Sequence, residues 1–304
     1  MSFRLATFNV LDLFEHDPEP PGFTDAKLAF IARELTRADA DIVALQEVGS
    51  EALVDRLIKR EAASLGYQSV AFGPADRRGI RNAILSRLPA VHTQVHNAAS
   101  LRFPRFVDGD PEPFGDRIPL RRGLLHVRIA TPGGPVDVMV VHFKSKLGRM
   151  MQDADGQDLV DVSARGFAEA QLRSLVLRSA EALFVRGVVD DLLAPGSAQI
   201  AIAGDFNDTL DSIPVQIVSG MGRGLDPALV LRPAASLVAD DRRFSARHSP
   251  GPALIEHVLT SATLADRLVG REIFNESLRD HWPHDPNAPP ATDSDHALVV
   301  CTFS

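Results

Sequence analysis

Gln199-Ile200-Ala201-Ile202-Ala203-Gly204-Asp205-Phe206-Asn207-Asp208 is the stretch on which the reading of this chain turns. Five residues of strand type run into Gly and then into a cluster of carboxylates and amides. That is the pattern of a buried strand delivering polar groups to a cleft. Taken alone it is weak, because an Asp or Asn after a strand is usually a turn former or a helix cap that bonds nearby backbone groups. Its weight comes from the same pattern elsewhere in the chain.

Working outward, Phe3 to Val10 is strand-like and carries Asn9 near its end, after which Leu11-Asp12-Leu13-Phe14 leaves the pattern. Asp41 to Glu47 reads as a second buried strand ending in polar groups. Leu124 to Ile129 and Val136 to Val141 form a hairpin through Thr131-Pro132-Gly133-Gly134, and the second arm ends at His142-Phe143-Lys144-Ser145-Lys146. Leu254 to Leu259 contains Glu256, and Asp293-Ser294-Asp295-His296 leads into a final strand, Ala297 to Thr302. Tyr67 to Phe72 and Ala83 to Leu85 are further strand-like runs.

Between these runs, helical spacing predicts a helix capped by Thr24 or Asp25 and carrying Leu28, Ile31, Ala32 and Leu35. Further helices are expected over 51–64, 163–193 and 213–219, with Pro195-Gly196 ending the longest. Proline-bearing segments 97–119 and 274–291 read as long loops, and 221–252 as irregular. Acidic residues 153, 155, 158 and 161 lack EF-hand spacing, so a solvated loop is expected there rather than a calcium site.

Composition bounds the answer without choosing it. The 304 residues, 45% hydrophobic and 24% charged, fit a globular chain able to bury a large core, and no segment is polar enough to mark a linker. One domain over 1–304 is the expectation, and no internal repeat is visible. Forty acidic against 32 basic residues give a formal charge of −8, which disfavours non-specific coating of polyanions but leaves room for a nuclease with a metal and a local basic cleft. No long apolar run or export signal is visible, so a cytoplasmic chain is expected. The lone Cys301 lies in an apolar run, which makes it a buried thiol and excludes cysteine-held zinc.

The polar strand ends are Asn9, Glu47, His142, Asp205 with Asn207, Glu256, and Asp295 with His296. Repetition on this scale suggests strands of one sandwich converging on a cleft. Carboxylates, amides and two imidazoles without thiols suit hard-cation catalysis on a phosphate ester: oxygen ligands for Mg²⁺ or Mn²⁺, imidazoles for the phosphoryl oxygens.

The chain resembles the endonuclease/exonuclease/phosphatase family, the DNase-I-like metal-dependent phosphodiesterases and phosphatases. Seven pieces carry the resemblance in family order: Thr7-Phe8-Asn9-Val10, Leu45-Gln46-Glu47-Val48, Ala83-Ile84-Leu85-Ser86-Arg87, Val141-His142-Phe143-Lys144, Gly204-Asp205-Phe206-Asn207-Asp208, Ile255-Glu256-His257-Val258 and Ser294-Asp295-His296-Ala297. Each is weak alone, and together they span nearly the whole chain.

The resemblance implies an α/β fold, a four-layer α/β/β/α sandwich of two mixed sheets packed face to face with helices outside. It implies that Glu47 binds the metal with Asn9 beside it and Asp295 near it, directly or through water. Asp205 would orient or deprotonate the attacking water, Asn207 would hold the phosphate, and His142 and His296 would bond the phosphoryl oxygens. Arg117 matches a phosphate-contacting Arg, and Lys144 and Lys146 lie where a polyanion would enter. Arg77, Arg78 and Arg81 could add a basic rim. The cofactor implied is Mg²⁺, with Mn²⁺ or Ca²⁺ as alternatives, and no obligate protein partner is evident.

One position departs from the family. Where it usually has Asp to brace the second histidine, this chain has Glu256, which keeps the charge and adds a methylene. Three readings stand at this point: a nuclease acting on DNA or RNA, a hydrolase of phospholipid headgroups or inositol phosphates, and a non-catalytic binding module on the same scaffold.

Overall fold

The computed structural model describes residues 2–304 except 17, 114, 116–117, 197, 223, 225, 235–237, 249–250 and 282–289. In chain order the first half runs β1 (Phe3–Leu13), α1 (Phe23–Ala38), β2 (Ile42–Val48), α2 (Glu51–Arg56), β3 (Ser69–Phe72), β4 (Arg81–Ser86) and β5 (Ala90–His96). It continues through β6 (Leu124–Thr131), β7 (Gly134–His142), a short hairpin of β8 (Met151–Gln152) and β9 (Asp158–Leu159), and α3 (Ala164–Leu193). The remainder is β10 (Ile200–Asp205), α4 (Ile213–Ser219), β11 (Arg232–Pro233), β12 (Ala246–His248), β13 (Gly251–Ala253), β14 (Glu256–Thr260), α5 (Ala262–Ala265), β15 (Leu268–Phe274) and β16 (Leu298–Phe303).

Among the described residues two six-stranded mixed sheets form, in the orders β15-β16-β1-β2-β4-β3 and β11-β14-β10-β7-β6-β5. They share one plan. Each centres on a parallel pair, β1 with β2 and β10 with β7, and every other pairing is antiparallel. The sequence shows no repeat because the plan fixes only strand direction and alternation, not side-chain identity.

Strand alternation explains the layers. Leu5, Ile42, Ala44 and Phe303 of the first sheet meet Val127, Val138, Val140, Ala201, Ala203 and Val258 of the second, all buried. Each such aliphatic or aromatic side chain contributes about 1.5–3 kcal/mol by leaving water. The opposite face of the first sheet, with Phe8, Val10, Val43 and Leu45, packs on Leu28, Ile31 and Leu35 of α1. That of the second, with Met139, Val141 and Ile202, packs on Val185 and Val189 of α3 and Val215 of α4. The result is the expected α/β/β/α sandwich, and the buried Cys301 sits in the inner core.

Several local expectations need correction. Helix α1 starts two to three residues earlier than a cap at Thr24 or Asp25 implies: its N-cap is Gly22 in the left-handed region (φ 70°), while Glu19 Oε1 accepts from Thr24 N (3.0 Å). The helix expected over 51–64 is α2 followed by a π-type turn at Leu57–Glu61 and a 3₁₀ turn at Ala63–Leu65. The acidic loop contains the exposed β8–β9 hairpin, and the strands β5 and β15 were not expected. No helix among the described residues is long and apolar enough to cross a membrane.

Candidate phosphoester-hydrolysis site

The C-terminal ends of the two parallel pairs face each other across the sandwich. Alternation in β1 places Phe8 and Val10 against α1 and turns Asn9 inward, where it is fully buried. In β7, Val138 and Val140 face the inner core and His142 follows on the same side. In β10, Ala201 and Ala203 do likewise, so Asp205 points to the same place. Glu256 opens β14 opposite Asp205 in the antiparallel register.

Glu47 is not delivered by alternation. Val43 and Leu45 face α1, and a regular strand would send Glu47 after them. Instead Glu47 adopts a left-handed backbone (φ 61°) where the β1–β2 register breaks between Asn9 and Leu13. Its carboxylate accepts from Asn9 Nδ2 (Oε1, 3.2 Å) and from Asp12 N (Oε2, 3.1 Å). Asn9 Nδ2 also donates to Asp205 Oδ2 (3.1 Å), while Asn9 Oδ1 accepts from Leu11 N (3.1 Å). The backbone donor fixes the amide orientation, so Asn9 presents NH₂, not oxygen, to the two carboxylates.

Asn207 reaches the site through a turn rather than along an extended strand. It has a left-handed backbone (φ 53°) and closes a tight turn, donating N–H to Asp205 Oδ1 (2.7 Å) and Nδ2 to Asp205 Oδ2 and to Phe143 O (both 3.1 Å). Asp208 accepts from Thr209 N (3.1 Å), but its carboxylate chiefly anchors the fold, pairing with Arg178 and Lys146 at 2.9 Å.

His142 Nε2 stands 3.7 Å from Glu47 Oε1 and 3.6 Å from Asp205 Oδ2, too long for direct hydrogen bonds. Burial, reinforced by Arg122, His296, Arg121 and Arg78, holds this imidazole well below its usual pKa, so it is neutral. His296 behaves oppositely. Burial opposes its charge, but Glu256, whose Oε1 lies 2.5 Å from Nδ1, together with Asp205 and Asp295, raises it well above the usual value. Its Nε2 lies 3.7 Å from Asp295 Oδ1. Burial and the neighbouring Glu256 charge push Asp205 up to about 6.

Two further residues belong here. Asp12 is pushed up to about 6 by burial and by Glu47. It lies three residues beyond Asn9, where Leu11 and Asp12 both take left-handed conformations (φ 55° and 45°), and that break in pattern was its only signal. Lys27 of α1 is 1% exposed and is lowered to about 8 by burial, with Asp293, Asp12, Glu47 and Asp295 opposing that shift. It sits four residues before Ile31 on the apolar stripe of α1, a position where a lysine is itself a signal.

The adjacent carboxylates of Glu47 and Asp12 suit a hard divalent cation, and Asp295 faces the Lys27 ammonium that they also face. A second grouping, Asp205, Glu256 and His296, has ligand atoms within 4.8 Å of one another. There Glu256 Oε1 lies 2.5 Å from His296 Nδ1, so those two side chains already engage each other. Glu256 Oε2 and His142 Nδ1 are buried without partners among the described residues.

Not every expected contact converges. Lys144 turns its ammonium into its own loop, donating to Ser145 O (3.0 Å), Ser145 Oγ (3.1 Å) and Leu147 O (2.7 Å), and burial lowers it to about 8. Lys146 pairs with Asp208 and Arg81 with Glu51. Arg117 lies outside the described residues. Arg122 was not foreseen: it is 7% exposed, donates to His142 O (2.9 Å) and pairs with Asp76 (2.9 Å), holding β7 at the site.

Comparison with known proteins agrees with this architecture. No curated protein matches the chain. Solved structures that share the fold include truncated Caenorhabditis elegans TDP2 (15% identity, TM-score 0.59, covering 99% of this chain and 97% of that one). A Bacteroides thetaiotaomicron endonuclease/exonuclease/phosphatase family protein matches at 15% identity and TM-score 0.62, covering 100% and 95%. The Neisseria 3′ phosphatase NExo, bound to a product DNA hairpin, matches at 15% identity and TM-score 0.58, covering 99% of each chain. At such identities these likenesses speak to the fold. The Endonuclease/Exonuclease/phosphatase family model matches residues 6–296, nearly the whole chain, and the chain therefore belongs to that family of phosphate-ester hydrolases.

Proposed function

We propose that the chain is a divalent-metal-dependent nuclease that hydrolyses phosphodiester bonds of DNA or RNA by in-line attack of water. The observation that carries the reading is one buried carboxylate, Asp205, flanked by two imidazoles, His142 Nε2 at 3.6 Å and His296 within 4.8 Å, whose surroundings push their pKa values in opposite directions. Environments that push neighbouring titratable groups apart divide acid from base roles.

Asp205, ionised above about pH 6 and held in plane by Asn9 and Asn207, accepts a proton from the attacking water. His296, braced through Nδ1 by Glu256, offers Nε2–H to the phosphoryl or leaving oxygen. His142, 3.6–3.7 Å from Asp205 and Glu47 and so not hydrogen-bonded to either, would donate Nε2–H to a phosphoryl oxygen. Glu47, Asp12 and Asp295 would hold Mg²⁺ or Mn²⁺, with Asn9 orienting Glu47, and the bound ion would polarise the phosphoryl group. Since both sheets contribute site residues, 1–304 is read as one working domain.

For the substrate, Arg78, Arg121 and Arg122 lie near His142 and, paired with Asp76 and Glu181, leave that side of the site without excess negative charge in a chain of net charge −8. The fold-sharing NExo, solved with a DNA hairpin, supports nucleic acid over a lipid headgroup. The test is a panel of plasmid, single-stranded DNA, RNA, inositol phosphates and phospholipids with Mg²⁺, Mn²⁺ or EDTA. EDTA-sensitive cleavage of nucleic acid is expected. Turnover of headgroup or inositol substrates with nucleic acids untouched would select the phosphatase-type reading, and no turnover at all would select the binding module.

A further inference from the structure

A lysine with 1% exposure is unusual, because its ammonium must leave water. Lys27 compensates in a specific way. Its Nζ donates to Asp293 O at 2.6 Å and to Ala291 O at 3.3 Å, two main-chain carbonyls more than 260 positions away in sequence. The segment so gripped is the one that carries Asp295 and His296. On its far side, Ser294 Oγ donates to Asn9 O (2.8 Å) and accepts from His296 N (3.1 Å), and Ala297 N donates to Ser245 O (2.6 Å). Residues 291 and 292 have no strand ladder of their own, so Lys27 ties the approach to the site to the rigid α1–sheet layer. The carboxylates of Asp293, Asp12, Glu47 and Asp295 partly offset the burial of the ammonium.

We propose that Lys27 is a positioning residue of the hydrolytic centre: by clamping the carbonyls of Ala291 and Asp293 it fixes the backbone that presents Asp295 and His296 to the scissile phosphate. Nothing in its geometry requires it to touch substrate. Its effect is exerted through the placement of two side chains that do, which predicts loss of turnover rather than of substrate binding. The inference rests on the phosphodiesterase reading for its kinetic consequence, whereas the clamp itself does not.

The experiment uses the full chain with Lys27→Met, which keeps the length and removes the donors, and Lys27→Arg, which keeps charge and donors. Amide hydrogen exchange, thermal melting, and Mn²⁺-supported hydrolysis of bis(p-nitrophenyl) phosphate are measured on each. For Lys27→Met, exchange in the peptide covering 291–297 is expected to accelerate about tenfold, with peptides covering 42–48 and 200–205 unchanged. Its kcat should fall about 30-fold with KM within about threefold, while Tm drops by less than about 5 °C. Lys27→Arg should recover most of both signals. Unchanged exchange in 291–297, or kcat within about threefold of wild type, would overturn the proposal, as would a global melt in which every peptide loses protection together. If the wild type hydrolyses no phosphodiester, the function reading fails while the exchange result still decides the clamp.

Discussion

Glu256 Oε1 lies 2.5 Å from Nδ1 of His296, with both side chains buried, so the extra methylene relative to the family's usual Asp does not keep the carboxylate from the imidazole. The backbone of β14 is set for the longer side chain. Glu256→Asp would withdraw the carboxylate by about 1.5 Å, one bond length, and is expected to reduce activity rather than restore it. Glu256→Gln should lower kcat about 10–100-fold with little change in KM. Its sign in pH follows from the charge. Glu256 raises the pKa of His296, so its neutralisation lowers that pKa and moves the alkaline limb of the pH–rate profile to lower pH. Steady-state kinetics across pH checks both expectations, and an active Glu256→Asp with an inactive wild type would sink them.

Glu47 offers both carboxylate oxygens beside Asp12 in a cluster with no thiol. Glu47→Gln is expected to weaken Mn²⁺ binding at least about tenfold, read by calorimetry with the metal alone. EDTA should abolish hydrolysis while the circular dichroism of the fold persists. Full activity in EDTA would rule out the metal's role.

At Gly204 a Cβ would stand 1.9 Å from Val141 O, a main-chain oxygen in the centre of the sheet that cannot swing aside. Gly204→Ala should therefore destabilise the chain by about 3 kcal/mol, measured by urea unfolding. A change below about 0.5 kcal/mol would show that β10 and β7 can separate locally.

His257 is buried, with Nε2 donating to Asp208 O at 2.8 Å, and burial depresses it to about 4. The folded pKa lies below the unfolded value of 6.5, so the unfolded chain binds the extra proton first as pH falls. Stability is complete above about pH 6.5 and is lost as pH falls toward 4, by about 2–3 kcal/mol at pH 4.5. His257→Gln keeps a donor and removes the titration. Its urea midpoint should fall less than that of wild type between pH 7 and pH 4.5, and equal losses would contradict the assignment.

What could be read from the sequence follows from how each residue reaches the site. Asn9, His142, Asp205 and Glu256 sit on the inner face of buried strands, so hydrophobic runs with a polar end announce them. Glu47 and Asn207 depend on left-handed turns, which no periodicity reveals. The strands β5 and β15 lie at or next to sheet edges and are half-exposed, so they lack an apolar run. Lys144 reads as a cation at a strand end, but only the structure shows its ammonium spent on loop carbonyls. Asp12, Lys27 and Arg122 act through contacts that are remote in sequence, and local pattern says little about those.

The matched plan of the two sheets has a consequence for folding. Asn9 and Glu47 leave the parallel pair of one sheet, Asp205 and His142 that of the other, and the antiparallel neighbours β16 and β14 bring His296 and Glu256 from opposite sides. Neither sheet alone holds the proposed hydrolytic centre. A refolding chain with one sheet complete is expected to be catalytically silent, so the first appearance of turnover would time the docking of the two halves.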